Sequence, residues 1–238
     1  MNEPRILIVE DDPIVAAVLI ERLKEMGYQS VGQAASGDQA IALAAELRPA
    51  LVLMGIQIEG EMDGIAAARE IRQRFHIPSI FLSAYSEEDT IKRAKLAEPF
   101  GYILKPFEGR ELRATIEMAL FKHQSEEALR KSEARLKFAL ETTQIGAWEL
   151  DLLDHQMERT LTHDRIFGYE TLLPSWSYER FLEHVLPEDR PEVERKFRQA
   201  VADQSDWSIE CRIRRADGKV RWIWDRGGHE RDSEGKVN

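Results

Sequence analysis

The stretch RILIVEDDP at residues 5–13 decides the fold of the N-terminal half, because it joins an apolar run to acidic residues and a proline. An apolar run without polar alternation is typical of a parallel strand that is buried on both faces. The pair Asp12-Pro13 predicts a helix N-cap followed by proline at the first helical position. The stretch therefore predicts a strand that leads directly into a helix, with Glu10 and Asp11 at the end of the strand.

The same alternation of strand and helix continues along the first half of the chain. Further strands are expected at Gln29–Ala34, Leu51–Ile56, Ile80–Ser83 and Tyr102–Leu104. The first helix is expected to end at Gly27 and to bury Ile14, Val15, Val18, Leu19 and Leu23. Later helices are expected at Gly37–Leu47 after the cap Ser36, at Gly64–Phe75, at Glu87–Ala97 and after Phe107. Repeated β-α units predict an α/β fold, a doubly wound parallel sheet with helices on both faces.

Polar residues cluster where these strands end. Glu10 and Asp11 follow the first strand, Ser83 ends the fourth and Lys105 follows the fifth, while Gly55 lies at the end of the third. In an open parallel sheet, the carboxyl ends of the central strands form the binding site. Carboxylates suit Mg²⁺, and a lysine and a hydroxyl suit phosphate. The pattern therefore indicates a phosphate-handling pocket at this edge of the sheet.

Taken together, these motifs resemble the receiver domain of two-component response regulators over about residues 4–121. The order of the motifs carries the resemblance: the acidic pair at a strand end, then the hydroxyl of Ser83, then the segment Gly101–Phe107 with its lysine. The resemblance implies a flavodoxin-like sheet of five parallel strands for a domain assigned to residues 1–121. It also implies that Glu10 and Asp11 hold Mg²⁺, that Ser83 is the switch hydroxyl, that Tyr102 is the switch aromatic and that Lys105 contacts the phosphate.

Gly55 stands where the resemblance places the phosphoacceptor aspartate. Glycine has no side chain that could form an acyl phosphate, so we predict a receiver without its nucleophile and a weakened Mg²⁺ site. One alternative is an ordinary phosphorylatable receiver with an introduced Asp-to-Gly change. In a second alternative, Glu10, Asp11 and Lys105 form an ion-paired cluster with only a structural role. The carboxylates that could replace the phosphoacceptor are Asp12, Glu59, Glu61 and Asp63. A helix cap is the plainer interpretation of Asp12, and a solvated loop is the plainer interpretation of the other three.

Between about Glu108 and Glu141 the chain has no proline and is rich in residues that favour helices. One helix is predicted to run from the first domain into the second, with residues 122–137 assigned as the linker. Leu129 and Leu136 are seven residues apart, which is the spacing of a short coiled coil. This spacing favours a homodimer, and the alternative is a solvated single helix that only separates two domains.

The C-terminal part of the chain changes to antiparallel β patterns. Strands are expected at Gly146–Leu153, Gln156–Thr160, Trp207–Arg215 and Val220–His229, the last two joined through the turn signal Asp217-Gly218. Helices are expected at Asp164–Phe167, Tyr178–Val185 and Glu188–Ala202.

These C-terminal segments resemble a PAS sensor domain, which we assign to residues 138–238. The segments that carry the resemblance are Ile145–Asp151, Phe167–Tyr169, His184–Arg190 and Arg215–Trp222. The resemblance implies an α+β domain with an antiparallel sheet. A further turn signal at Asp232–Gly235 lies so close to the last residue that the sheet is expected to lack its last strand.

Neither haem nor flavin is expected in this domain. Flavin-binding relatives within the PAS resemblance carry a reactive cysteine in an Asn-Cys-Arg context on a helix, whereas Cys211 lies in a predicted strand. Histidines in loops or on the surface are expected rather than haem ligands, and they are His155, His163, His184 and His229. Trp148, Trp222 and Trp224 are expected in the core or on a face of the sheet.

Composition narrows the possible partners of the chain. Its 238 residues carry a formal net charge of −10, which disfavours generic binding to nucleic acid or to anionic membranes. A single cysteine cannot form an intrachain disulfide, which fits the cytoplasm. No apolar stretch approaches the ~20 residues that are needed to cross a bilayer.

The whole sequence predicts a two-component phosphorelay protein that acts by protein–protein contact and is not itself an enzyme. The expected partners are a second copy of the chain, in a homodimer, and a histidine kinase or another signalling protein. The alternative is the N-terminal part of a longer PAS-containing sensor histidine kinase or cyclic-dinucleotide enzyme.

Overall fold

The computed structural model describes residues 3–84, 99–151 and 157–229, which fall into two compact units. The first unit comprises residues 1–132 and the second comprises residues 133–238. The boundary lies within one continuous helix, Gly109–Thr143, which also contains the predicted linker.

The first unit is built on a parallel sheet of five strands in the order β2-β1-β3-β4-β5. The strands are β1 (Arg5–Val9), β2 (Gln29–Ala34), β3 (Leu51–Gly55), β4 (Ser79–Ser83) and β5 (Gly101–Leu104). The described helices are α1 (Pro13–Glu25), α2 (Gly37–Leu47), α3 (Gly64–Phe75) and α4 (Gly109–Thr143). This strand order is flavodoxin-like, so the predicted fold is confirmed. The helix that was predicted at Glu87–Ala97 lies outside the described residues.

Two apolar clusters cover the two faces of this sheet. Leu7 and Val9 of β1 belong to the cluster that α2 and α3 cover. Ile6 and Ile8 belong to the cluster that α1 and the first part of α4 cover. All four side chains are fully buried, which explains why β1 is apolar without alternation.

The buried face of α1 differs from the predicted one. Ala16, Leu19 and Leu23 are fully buried, whereas Ile14 and Val18 are 74% and 44% exposed. The start of α1 is apolar on nearly every side, so the apolar pattern does not specify which side packs on the sheet. The prediction was therefore wrong for Ile14 and Val18, and right for the two leucines.

Side-chain caps begin three of the helices at the carboxyl edge of the sheet. The carboxylate of Asp12 accepts hydrogen bonds from the amides of Ile14 at 2.8 Å and Val15 at 3.3 Å, which confirms the predicted cap of α1. Ser36 caps α2 and Asp63 caps α3 in the same way. Each such cap contributes about 1 kcal/mol, and together they fix where the loops around the site end.

The second unit combines the end of α4 with short helices and antiparallel strands. Strands β6 (Trp148–Leu150) and β7 (Met157–Arg159) form one pair, and β8 (Trp207–Arg214) and β9 (Val220–Gly227) form the other. The shorter helices are α5 (Leu161–Ile166), α6 (Tyr178–His184) and α7 (Arg190–Asp203). The predicted α+β arrangement with antiparallel strands is confirmed. The turn predicted at Asp232–Gly235 lies outside the described residues, so the missing last strand stays a prediction.

Burial alternates along β8 and thereby orients the second core. Trp207, Ile209, Cys211 and Ile213 point inward and are at most 7% exposed. They pack with buried side chains of α6 and α7, among them Phe181 and Val193. One face of the β8–β9 pair therefore closes the core of this unit.

A contact between two glycines joins the end of β3 to the start of α3. The amide of Gly64 donates to the carbonyl of Ile56 at 2.9 Å. A Cβ atom at residue 64 would lie against the carbonyl oxygen of Gly55, well inside van der Waals contact. Because the obstacle is backbone, no side-chain rotation can relieve it, and only glycine fits at residue 64.

We therefore expect Gly64→Ala to destabilise the first unit by about 3 kcal/mol, because the new methyl group must displace the end of β3. Urea unfolding followed by far-UV circular dichroism measures this effect. All five tryptophans lie in the second unit, so tryptophan fluorescence should stay unchanged and serves as an internal control.

Gly109→Ala is the matched control variant. A Cβ atom there would make ordinary contacts, 3.6 Å from Cε of Met26 and 3.8 Å from Nη1 of Arg22. This change should alter stability by less than about 1 kcal/mol. Equal costs for the two substitutions would contradict the proposed backbone contact.

Candidate functional site

The carboxyl ends of the strands in the first unit meet at the predicted edge. The backbone hydrogen bonds between neighbouring strands continue past the strand ends, because the amide of Lys105 donates to the carbonyl of Ser83 at 2.7 Å. Likewise, the amide of Glu10 donates to the carbonyl of Ala34 at 2.8 Å. Since Gly55 ends the strand between β1 and β4, the structure brings Glu10, Gly55, Ser83 and Lys105 to one edge.

Glu10 and Lys105 form an ion pair at this edge. Nζ of Lys105 lies 2.5 Å from Oε2 of Glu10. The side chain of Glu10 is 2% exposed and that of Lys105 is 22% exposed, so water screens the pair only from one side. Each charge compensates the other, and loss of either partner would leave a largely buried charge without a counter-ion. The geometry therefore agrees with the ion-paired alternative for these two residues.

The space beside Gly55 is already occupied. A Cβ atom at residue 55 would lie 3.1 Å from the carbonyl oxygen of Val9 and 3.2 Å from Cγ2 of Ile58. It would lie 3.4 Å from Oε2 of Glu10, the same oxygen that contacts Lys105. A longer side chain at this position therefore needs Ile58 and Glu10 to move by a few tenths of an ångström or more. The neighbouring atoms therefore leave little room for a side chain at residue 55.

The other predicted metal ligand does not share this buried position. Asp11 is exposed, and Asp12 is engaged as the cap of α1. Among residues 3–84, 99–151 and 157–229, no three His, Cys, Asp or Glu side chains are grouped to hold a metal ion. Glu10 and Asp11 remain the residues that could hold Mg²⁺, and the ion would compete with Lys105 for the carboxylate of Glu10.

The predicted switch residues lie in neighbouring strands, Ser83 at the end of β4 and Tyr102 in β5. Ser83 is 5% exposed, and Tyr102 is half-buried against the apolar cluster on the α2–α3 face. Their roles as switch hydroxyl and switch aromatic stay predictions. Of the substitute carboxylates, Asp63 caps α3, whereas Glu59 and Glu61 are exposed in the loop that follows β3.

The second unit contains a cavity of about 400 Å³ that the sequence analysis did not predict. About half of its lining residues are aromatic, among them Trp148, Phe167, Trp176, Tyr178, Phe197 and Trp207. Several of these rings contact one another. The rings of Tyr178 and Phe197, for example, are stacked with their centroids 4.0 Å apart. A volume of this size matches that of ordinary small-molecule sites.

Burial shifts the ionisation of the polar groups that line this cavity. Burial raises the pKa of Asp225, although the indole N–H of Trp148 donates to its carboxylate at 2.9 Å. Burial lowers the pKa of His163, against the effect of a hydrogen bond with Asp164, so its imidazole is neutral at pH 7. Burial raises the pKa of Tyr178 to about 12. The cavity therefore favours neutral groups.

Three hydrogen-bond donors around this cavity lack acceptors within the described parts of the chain. They are Nε1 of Trp176, the hydroxyl of Tyr178 and Nε1 of Trp207, and all three atoms are buried. A buried donor without an acceptor costs about 1–3 kcal/mol. The alternation of β9 could have pointed to Asp225, but Trp176 lies in a loop without a periodic signal and Tyr178 directly follows that loop.

Among the remaining candidate ligands of the second unit, His184 has structural partners. Both ring nitrogens of His184 are engaged, Nδ1 with the carbonyl of Arg214 at 2.7 Å and Nε2 with the hydroxyl of Tyr169 at 3.1 Å. Burial raises the pKa of the Cys211 thiol to about 12, so it is neutral at pH 7. His155 lies outside the described residues, and His229 is half-buried.

Trp148, Trp222 and Trp224 were expected in the core or on a face of the sheet. The structure places one of them beside the core and two on the sheet face. Trp148 is half-buried and lines the cavity. Trp222 and Trp224 are 68% and 65% exposed on the outer face of β9. Their places follow from the two-residue period of a strand, because the intervening Ile223 packs on the core.

Comparison with known proteins follows this division of the chain. The family model of the response regulator receiver domain matches residues 6–117, and that of the PAS fold matches residues 162–238. The chain is 37% identical over 141 residues to the transcriptional regulatory protein PdtaR of Mycobacterium tuberculosis, covering 59% of this chain and 68% of PdtaR. It is 30% identical to the transcriptional regulatory protein BaeR of Escherichia coli, covering 72% of this chain and 74% of BaeR.

One solved structure supports the same assignment of the first unit. The signal receiver domain of a modulated diguanylate cyclase from Desulfovibrio desulfuricans superimposes with a TM-score of 0.50 at 36% identity. The match covers 52% of this chain and 98% of that domain. None of the helices in the described ranges is long and apolar enough to span a membrane.

Proposed function

Because this chain belongs to the response regulators and continues from a receiver domain into a PAS fold, we propose that it relays a two-component signal without phosphorylation at residue 55. The observation that carries the proposal is the ion pair of Glu10 and Lys105 beside Gly55. The receiver would act through protein contact in the cytoplasm, and the chain itself would have no catalytic activity.

The chemistry of phosphoryl transfer supports this proposal. Formation of an acyl phosphate needs a carboxylate that attacks phosphorus and positive charges that balance the transferred group. Gly55 supplies no carboxylate, and the ammonium of Lys105 is already neutralised by Glu10. An incoming phosphoryl group would also meet Ile58, which fills the space beside residue 55. The nucleophile is absent, the positive charge is already paired and the space beside residue 55 is restricted.

The partners that we propose are a histidine kinase or another signalling protein and a second copy of the chain. Leu129 and Leu136 of α4 are 61% and 62% exposed at the spacing of a coiled coil, which supports a homodimer. The net charge of −10 argues against contact with nucleic acid in this chain, although PdtaR and BaeR are named as transcriptional regulators.

An enzymatic output in a longer protein is the second candidate. The similar receiver domain from Desulfovibrio desulfuricans belongs to a modulated diguanylate cyclase. In that case this chain would supply the regulatory part, and the histidine kinase or cyclic-dinucleotide activity would lie elsewhere. The two candidates share the same unphosphorylated receiver.

Incubation of the full chain with acetyl phosphate and Mg²⁺, followed by intact-mass measurement, tests the proposal. We expect no gain of a phosphoryl group, because the chain has no carboxylate at residue 55. Gly55→Asp is the matched variant, and uptake by this variant alone would favour an introduced change in an ordinary receiver. A hydroxylamine-labile phosphoryl group on the unaltered chain would contradict the proposal.

We further propose that the second unit senses a small aromatic ligand that carries a carbonyl oxygen. The aromatic lining of the cavity suits a flat apolar body. The unpartnered donors of Trp176, Tyr178 and Trp207 suit a neutral acceptor, since burial already disfavours charge at Asp225 and His163. Neither haem nor flavin enters this proposal.

A matched pair of probes tests the ligand class. In ligand-observed NMR, 2-acetylnaphthalene should bind about 5-fold more tightly than 2-ethylnaphthalene, because only the former offers an acceptor. Tyr178→Phe, which removes one donor without changing the ring, should reduce that preference. Equal affinities for the two probes, or no binding of either, would contradict the proposed ligand class.

A further inference from the structure

The last turns of α4 are almost without intramolecular packing. Over residues 131–143 every side chain is exposed except that of Leu140, which is half-buried. Leu136 and Phe138 are 62% and 70% exposed. The end of this longer helix therefore presents apolar side chains that a further element would bury.

A groove of about 850 Å³ lies beside this segment, within the second unit. Its apolar lining consists of Leu136 and Leu140 of α4 with Leu161 and Ile166 of α5. Its charged lining consists of Glu133, Lys137, Glu141, Arg165 and Arg221. Apolar residues surrounded by charged ones are typical of a protein interface rather than of a cavity for a metabolite.

The charges of the groove are divided between its walls. The carboxylates of Glu133 and Glu141 belong to α4, whereas the guanidinium groups belong to Arg165 of α5 and Arg221 of β9. Both arginines are exposed, and neither makes an ion pair in the part of the chain that the structure describes. The carboxylate of Glu141 is 4.0 Å from Lys137, at the limit of an ion pair. The groove thus offers both charges of a complementary contact.

We propose that this groove takes the same α4 segment, residues 133–143, of a second copy of the chain. The proposal rests on the proposed homodimer and names the surface that forms it. A two-fold dimer requires a surface that is complementary to itself, and this groove carries two carboxylates and Lys137 on the α4 wall and two arginines on the other. The carboxylates of each copy would meet the arginines of its partner.

The length of the groove favours a helix as the occupant. Its α4 wall runs from Glu133 to Glu141, which spans about 12 Å along a helix. A small molecule would leave most of that length in contact with water. A helix from a second copy covers it and places its own leucines against Leu161 and Ile166.

Charge reversal in the full chain, with light scattering as the measurement, tests the groove. One variant carries Arg165→Glu and Arg221→Glu, and the other carries Glu133→Arg and Glu141→Arg. Each variant alone should dimerise about 10-fold more weakly, since like charges then face each other across both halves of the interface. Mixing the two variants should restore the affinity to within about 3-fold, because the four altered positions again face opposite charges.

Arg135→Glu is the control, because Arg135 is exposed on the same helix but does not line the groove. This change should leave the dimer affinity unaltered. If the unaltered chain dimerises but mixing gives no recovery, the groove is excluded while the homodimer stands. If the unaltered chain remains monomeric, both the groove and the proposed homodimer are wrong.

Discussion

The buried ion pair of Glu10 and Lys105 is the interaction on which the chemistry of the first unit depends. β1 is a central strand and β5 is an edge strand, with β3 and β4 between them. The pair therefore reaches across the carboxyl ends of two intervening strands and ties the start of the β5–α4 connection to β1. Because one partner is nearly fully buried, each charge depends on the other for compensation. The pair and Gly55 must be understood together.

A carboxylate at residue 55 would change the balance of this site. With glycine, the buried pair is formally neutral. The Cβ atom of an aspartate at residue 55 would lie 3.4 Å from Oε2 of Glu10, so its carboxylate would add a second negative charge close to the first. A metal ion or a second cation would be needed to offset that charge. The same change would press on Ile58 and on the carbonyl of Val9. Lysine, glutamate and glycine thus form a self-consistent set, in which the ammonium of Lys105 balances the carboxylate of Glu10.

The sequence predicts most of the fold because the strands of the first unit are buried on both faces and appear as uninterrupted apolar runs. It also predicts which residues reach the carboxyl edge, since parallel strands end together. It offers the ion pair of Lys105 with Glu10 only as an alternative, because the strand order and the side-chain distances that decide it are tertiary facts. The buried side of α1 is also missed, because Ile14 and Val18 are as apolar as the residues that pack. The cavity donor of Tyr178 is missed because it depends on packing rather than on a repeat.

A double-mutant cycle of Glu10→Gln and Lys105→Met tests the central claim most directly. Urea unfolding of the four chains, followed by far-UV circular dichroism, gives the free energy of unfolding of the first unit. Each single change should cost about 2–4 kcal/mol, because it leaves the other charge buried and unpaired. The double change should cost at least about 1 kcal/mol less than the sum of the two single changes. Costs that add to within about 0.3 kcal/mol would show that the two residues do not depend on each other, and would contradict the account.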